Sequence, residues 1–132
     1  AEALAEEIGL REGKTIIARS ASTLGIDGYP AHRHAIRVMS WLSMNISEHR
    51  SQPVTKTLTE WADFVLVMER KHATHIREHF PESADKVLEL ASFGGLPRID
   101  DPVKKWLWAF FTCRNALRKC LNRFVAQIPK RG

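Results

Sequence analysis

Cysteine is scarce in this sequence: its 132 residues include only Cys113 and Cys120. The two lie seven residues apart in a segment with a strongly helical pattern. Their Cα atoms would then be about 10 Å apart, which is too far for a disulfide. We therefore expect two buried thiols in a reducing compartment, which points to a cytoplasmic protein.

Long hydrophobic runs and long runs of one charge are also absent. No apolar run approaches the roughly 18 residues that a transmembrane helix requires, so we expect no membrane partner. The net charge of +5 at pH 7 and the isoelectric point near 9.6 favour anionic partners, such as phosphorylated substrates, nucleic acid or an acidic protein. The basic residues are scattered, which argues against a nucleic-acid-binding tail. A solvated basic surface is the other interpretation.

Apolar periodicity predicts alternating helices and strands in a single domain over residues 1–132. Helices are predicted at residues 1–10, 30–42, 55–62, 69–80 and 103–128, with Thr55 as the cap of the third. Strands are predicted at residues 14–20, 63–68 and 86–90. The run "DFVLVM" at residues 63–68 is typical of a strand covered on both faces. The alternation indicates an α/β domain with a parallel sheet.

The last predicted helix, residues 103–128, has the clearest pattern. Its apolar stripe at helical spacing comprises Val103, Leu107, Phe110, Cys113, Leu117, Leu121, Phe124 and Ile128. Arg114 falls inside this stripe, and the sequence offers no reason for it. Trp108 lies on the opposite face.

Four stretches together carry a family resemblance: "SASTLGIDGYPA", "ISEHRSQPVT", "WADFVLVMERKH" and "IDDP". In this order and spacing, the sequence resembles the low-molecular-weight protein-tyrosine phosphatases, over nearly the whole chain. The resemblance implies a flavodoxin-like, three-layer fold in which helices flank a four-stranded parallel sheet.

The beginning of the chain, "AEALAEEIGL", reads as a helix without a Ser, Thr, Asp or Asn cap. Members of the family carry a strand and a C-x5-R-S phosphate-binding loop just before the corresponding segment. We therefore expect an N-terminally incomplete domain that lacks the family's first, central strand and this loop. An exposed sheet edge would result, which a second copy of the chain or a strand-donating partner could cover.

The resemblance assigns roles to four residues. Asp101, followed by Pro102, corresponds to the general acid that protonates the leaving oxygen. Ser20 corresponds to a serine that supports the phosphate loop. His49 corresponds to a structural histidine, and Glu69 stands where its aspartate partner is usual. We expect these residues to lie around one site.

Two features of the "DDP" segment weaken the assignment of Asp101 as a general acid for phosphotyrosine. Val103 and Lys104 stand where the family has an aromatic wall for phosphotyrosine, so selectivity for tyrosine is open. From the residues alone, we would favour a turn in which Asp101 helps to cap the last helix, and only the resemblance favours the general acid.

The implied activity is hydrolysis of a phosphotyrosine protein or an aryl phosphate through a cysteinyl-phosphate, without metal or organic cofactor. Neither cysteine of the chain has the C-x5-R spacing, so we expect the nucleophile to be absent from these residues. The alternatives are an inactive, phosphatase-like binding module and, fitting less well, thiol-coupled arsenate reduction.

Three histidines on one helical face, His72, His75 and His79, have a spacing that metal ligands can show. The sequence supplies no obvious fourth ligand. A basic, solvated face is the interpretation that we favour.

Overall fold

A computed structural model describes residues 1–23, 25 and 27–128. Helices and strands alternate in the second half of the chain, as predicted, whereas the first three α-helices follow one another with no described strand between them. The α-helices are α1 (Glu2–Arg11), α2 (Arg33–Ser40), α3 (Lys56–Trp61), α4 (Arg70–His79) and α5 (Leu107–Gln127), the strands are β1 (Val65–Val67) and β2 (Val87–Glu89), and 3-10 helices cover Pro81–Lys86 and Leu90–Gly94. No helix among these described residues is long and apolar enough to cross a membrane.

The sheet consists of β1 and β2, which are parallel and pair Val65 with Val87 and Val67 with Glu89. Both strands were predicted, although each is shorter than its apolar run. The side chain of Leu66 packs toward a large core with α1, α2 and α5, whereas Val65 and Val67 pack with α4. The sheet is therefore covered on both faces, as the unbroken apolar run predicts.

The large core lies beneath α5. It joins α1, α2, the 3-10 helix Leu90–Gly94 and α5 through a set of buried side chains: Leu4, Ile8, Met39, Leu90, Ala91, Ile99, Cys120, Leu121, Phe124 and Val125. The position of α5 is thus set by three other elements. Thr55 caps α3 as predicted, since its Oγ1 accepts a hydrogen bond from the Leu58 amide at 3.2 Å.

The predicted strand at residues 14–20 is wrong: in the described part of the chain this segment belongs to no strand. The prediction rested on a short β-branched run after Gly13, and the residues of this segment do alternate between exposed and half-buried. Ile16 packs so closely on Gly9 that a Cβ there would meet its Cγ1 at 2.9 Å. However, no described strand lies alongside to complete a ladder of hydrogen bonds. The described sheet accordingly has two strands rather than the four that the resemblance implies.

The last helix also differs from its prediction, because α5 begins at Leu107 rather than at residue 103. Val103 is exposed and does not belong to the core. Arg114 is buried after all, and the structure supplies the reason: its Nη1 donates to the Val38 carbonyl oxygen of α2 at 2.7 Å. A charged side chain inside the apolar stripe therefore ties α5 to α2.

Candidate active site

Two of the predicted site residues meet at the first turn of α1, and a third residue joins them. Ser20 Oγ donates a hydrogen bond to Glu2 Oε2 at 2.7 Å. His49 Nδ1 lies 4.0 Å from the same carboxylate oxygen. Gln52 Nε2 donates to the Ser20 carbonyl oxygen at 3.0 Å and fixes that backbone. We call Glu2, Ser20, His49 and Gln52 the Glu2 cluster.

Glu2 itself was missed from the sequence. It is the first residue of α1, where a carboxylate interacts favourably with the helix dipole. An acidic residue in the first turn of a predicted helix was the available signal. That signal gives no hint that Ser20 and His49 approach the same position, because their contacts are long-range.

Glu69 does not join this cluster, so the expected pairing with His49 is not made among the described residues. Its carboxylate lies 3.4 Å from Lys71 Nζ, and its backbone begins α4. Two amides of α4, those of His72 and Ala73, donate to the Glu69 carbonyl oxygen. Since Glu69 is held at the start of α4, Glu2 is the carboxylate beside the imidazole.

Asp101 lies on an exposed turn between the sheet and α5. Its Oδ1 accepts a hydrogen bond from the Val103 amide at 3.0 Å, and the Lys105 amide donates to the Pro102 carbonyl oxygen at 2.8 Å. Asp101 does not cap α5, whose N-cap is Trp106. The turn thus holds an exposed carboxylate in place, which is compatible with proton transfer to a bound ligand.

The segment that carries Asp101 is anchored at the carboxyl end of β1. The Ile99 amide donates to the Met68 carbonyl oxygen at 3.1 Å, just beyond the strand. Ligands of open α/β sheets bind outside the carboxyl ends of the strands. Asp101 is therefore at the edge of the sheet where such a site is expected.

Cys113 lies within α5 and is half-buried. Burial raises the pKa of its thiol, and the charges of Asp101 and Asp100 add to this shift. A raised pKa keeps the thiol protonated at neutral pH and makes Cys113 a poor nucleophile.

Cys120 is no better suited as a nucleophile, because it is fully buried and its Sγ lies 3.9 Å from the Ala91 carbonyl oxygen. Both cysteines are free thiols, as predicted.

The histidines of α4 make contacts with one another. The rings of His75 and His79 stack with their centroids 4.1 Å apart, and His79 Nδ1 lies 2.8 Å from the His75 carbonyl oxygen. Across the described ranges, no group of three or more candidate ligands could hold a metal ion.

Comparison with known proteins defines the class to which this fold and site belong. The chain matches the family described as "Low molecular weight phosphotyrosine protein phosphatase" over residues 1–132. It is 26% identical to the low molecular weight protein tyrosine phosphatase of T. tengcongensis, whose structure it matches with a TM-score of 0.89 over 96% of this chain and 88% of that one. The chain belongs to the low-molecular-weight phosphotyrosine protein phosphatase family and has its α/β fold.

Two curated relatives show the range of activities within this similarity. A Ralstonia solanacearum protein described as "Probable low molecular weight protein-tyrosine-phosphatase EpsP" is 32% identical over 113 residues, which cover 86% of this chain and 77% of the relative. A protein-arginine-phosphatase of Bacillus subtilis is 30% identical over 132 residues, which cover 98% of this chain and 87% of the relative. Neither similarity supports the expectation that a first strand and its loop are missing.

Proposed function

We propose that this domain serves the hydrolysis of phosphate esters on proteins, with Asp101 as the general acid. The observation that carries the proposal is the Asp101 turn: an exposed carboxylate, fixed by the Val103 amide, at the carboxyl end of β1. A carboxylic acid at this position can protonate the leaving oxygen as the phosphorus–oxygen bond breaks. Family membership makes phosphate the group to be transferred.

The Glu2 cluster has a positioning role in this proposal. Ser20 and His49 both approach the Glu2 carboxylate. They thereby link the two loop segments that contain them to the first turn of α1. Helix N-termini are favourable places for anions, because their first amides are not used within the helix. We assign Ser20 and His49 to holding this end of α1 rather than to contact with the substrate.

The substrate is a phosphotyrosine protein in the first instance. The second candidate is phosphoarginine, whose phosphorus–nitrogen bond breaks instead, so that Asp101 would protonate the leaving guanidine nitrogen; two observations favour it. Val103, half exposed beside Asp101, is not the aromatic wall of a phosphotyrosine slot, and one curated relative is a protein-arginine-phosphatase. The ratio of kcat/KM for a phosphotyrosine peptide and a phosphoarginine peptide distinguishes the two.

We propose that these 132 residues do not supply the nucleophile of the reaction. Arg lies five rather than six residues after Cys113, and no Arg lies six residues after Cys120. In addition, both cysteines lie within α5, whose amides are engaged in the helix. As an alternative, the chain is a phosphatase-like module that binds an anion or a partner without turnover. Its two free thiols favour a reducing, cytoplasmic location.

Hydrolysis of p-nitrophenyl phosphate tests the proposal in two arms at pH 5 to 7. The 132-residue chain and its Asp101→Ala variant should both be inactive. A chimaera with a synthetic strand and C-x5-R-S loop ahead of Ala1 should hydrolyse the ester, and Asp101→Asn in that chimaera should lower kcat by about a hundredfold or more. Turnover by the unmodified chain would refute the assignment of the nucleophile. A folded but inactive chimaera would support the binding module instead.

A further inference from the structure

Aromatic side chains gather where α2 ends and α5 begins: Trp41 and Trp108 both contact the half-buried ring of Phe111, and Trp106 lies two residues before Trp108 in the chain. The ring of Phe111 stacks on Trp108 with centroids 5.0 Å apart and contacts Trp41, the C-cap of α2, at 5.9 Å. Trp106 is 78% exposed, Trp108 is 64% exposed and Trp41 is 49% exposed. We call Trp41, Trp106, Trp108 and Phe111 the aromatic ridge. Contiguous exposed apolar surface of this kind marks an interaction site more often than scattered single residues do.

The Phe111 ring at the centre of the ridge is fixed in position, because the Arg114 guanidinium packs against one of its faces. The guanidinium Cζ of Arg114 lies 4.6 Å from the centroid of the Phe111 ring. The same guanidinium donates to the Val38 carbonyl oxygen and to Asn115 Oδ1. A ring fixed in this way loses little conformational freedom when a partner binds, which favours affinity.

The two stretches of sequence that carry the ridge have charge of one sign, and Asp100 and Asp101 lie just before the second of them. The sequence has no Asp or Glu between residues 28 and 47 or between residues 102 and 128, the stretches that contain α2 and α5. Over the same stretches it has Arg33, Arg37, Lys104, Lys105, Arg114, Arg118, Lys119 and Arg123. Of these, Arg37, Lys104 and Lys105 are exposed and lie closest in sequence to the aromatic side chains. The net charge of the protein is thus concentrated on one pair of packed helices.

The ridge follows the Asp101 turn directly along the chain. Lys105, whose amide is bonded to the Pro102 carbonyl oxygen, belongs to that turn, and Trp106 is the next residue and the N-cap of α5. A protein that presents a phosphorylated side chain to Asp101 must continue over the neighbouring surface. On the α5 side of the turn, that surface is the aromatic ridge with its basic rim.

We infer that the aromatic ridge is a docking surface for an acidic segment of the phosphoprotein substrate, in which apolar side chains are interspersed with Glu or Asp. The inference rests on the proposed function, because it takes the substrate to be a protein held at Asp101. Apolar side chains of the segment pack on Trp106, Trp108 and Trp41, while its carboxylates face Lys104, Lys105 and Arg37. The continuity with Asp101 favours a protein substrate over a nucleic acid or a lipid surface.

Fluorescence anisotropy on the 132-residue chain tests the inference without requiring turnover. The probe is a fluorescein-labelled peptide of alternating glutamate and leucine pairs, and its counterpart has lysine in place of glutamate. We expect the acidic peptide alone to bind, and its affinity to fall several-fold when salt is raised from 50 to 300 mM. Trp106→Ala and Trp108→Ala should each weaken binding by about tenfold, and so should the double reversal of Lys104 and Lys105 to Glu.

Matched controls lie on the other helices. Trp61 of α3 is 50% exposed, so Trp61→Ala removes a similar side chain away from the ridge. The double reversal of Lys56 and Lys71 to Glu changes net charge by the same amount on α3 and α4. Both controls should bind the acidic peptide like the parent chain. Equal losses in the controls and the ridge variants would overturn the inference, because binding would then depend on net charge alone.

Three other outcomes would also overturn it: tighter binding of a single-stranded oligonucleotide, tighter binding of vesicles with anionic lipid, or a dimer in sedimentation that Trp108→Ala dissociates. The result is separable from the proposed function. Peptide binding with an inactive chimaera would refute the phosphatase proposal and retain the ridge as a binding surface. If the chimaera is active but the 132-residue chain does not bind the acidic peptide, the docking inference alone is refuted.

Discussion

Replacing Glu2 by alanine removes the carboxylate at which Ser20 and His49 meet. The hydrogen bond from Ser20 Oγ, 2.7 Å long and charge-assisted, contributes about 1.5 kcal/mol, at the low end of its class because the site is partly exposed. His49 Nδ1, at 4.0 Å from the carboxylate, is beyond hydrogen-bond distance and adds little to this sum. The position in the first turn of α1 adds roughly another 0.3 kcal/mol. We expect Glu2→Ala to lower the free energy of unfolding by about 2 kcal/mol.

Urea denaturation followed by circular dichroism at pH 7 measures this loss. With a denaturant dependence of about 2 kcal/mol per molar, the midpoint should fall by about 1 M. Glu2→Gln keeps an acceptor for Ser20 but loses the charge, so it should cost only about 1 kcal/mol. A double-mutant cycle of Glu2→Ala with Ser20→Ala should show a coupling of about 1 kcal/mol, since the two side chains share one bond.

Glu7→Ala is the control, because Glu7 lies on the same helix and pairs with Arg11 in an exposed ion pair of 2.7 Å. Such pairs contribute about 0.3 to 0.5 kcal/mol. The reasoning would be refuted if Glu2→Ala cost no more than Glu7→Ala, or if the losses from Glu2→Ala and Ser20→Ala were simply additive. Either result would mean that the cluster does not hold α1 in solution.

Three further predictions concern α5. Arg114→Met should destabilise the fold by about 2 kcal/mol in thermal unfolding, because the buried Val38 carbonyl oxygen loses its donor; an unchanged melting temperature would contradict this. Gly94→Ala should cost about 1 to 3 kcal/mol, since the new Cβ would lie 2.6 Å from Cys120 Sγ, and Cys120→Ala in the same chain should recover part of the loss. Burial raises the pKa of the Cys113 thiol, so its reaction with a disulfide reagent should be slow at pH 7. The reaction should accelerate only above the pH at which an exposed thiol ionises. Rapid reaction at pH 7 by a folded Cys120→Ala variant would count against the burial of Cys113.

The elements that could be predicted correctly are those in which local pattern and final environment agree. The apolar run at residues 63–68 predicts a strand covered on both faces, and β1 has α4 on one side and the large core on the other. The Thr55 cap of α3 could be predicted because its hydrogen bond to the Leu58 amide spans only three residues. Family membership could also be predicted, because the quoted motifs occur in order along nearly the whole chain.

The errors arose where the outcome depended on a distant partner. Residues 14–20 have the alternation of a strand, but a strand requires a neighbour, and no described strand lies beside them. Glu69 was expected beside His49, whereas Glu2 occupies that position and Glu69 begins α4. Asp101 was correctly expected in a turn, but its hydrogen bond is to Val103 rather than to the start of α5.

The sequence by itself determined the helical pattern of α5, the buried pair of strands, the absence of a disulfide between the two cysteines and the family. Tertiary structure alone decided that Arg114 is buried, that Glu2 joins Ser20 to His49, and that Trp41 and Trp108 meet across Phe111. Periodicity and capping act within a few residues, so they can be seen in the order of amino acids. A charge buried against a carbonyl oxygen, or an aromatic ridge shared by two helices, exists only after packing has brought distant segments into contact.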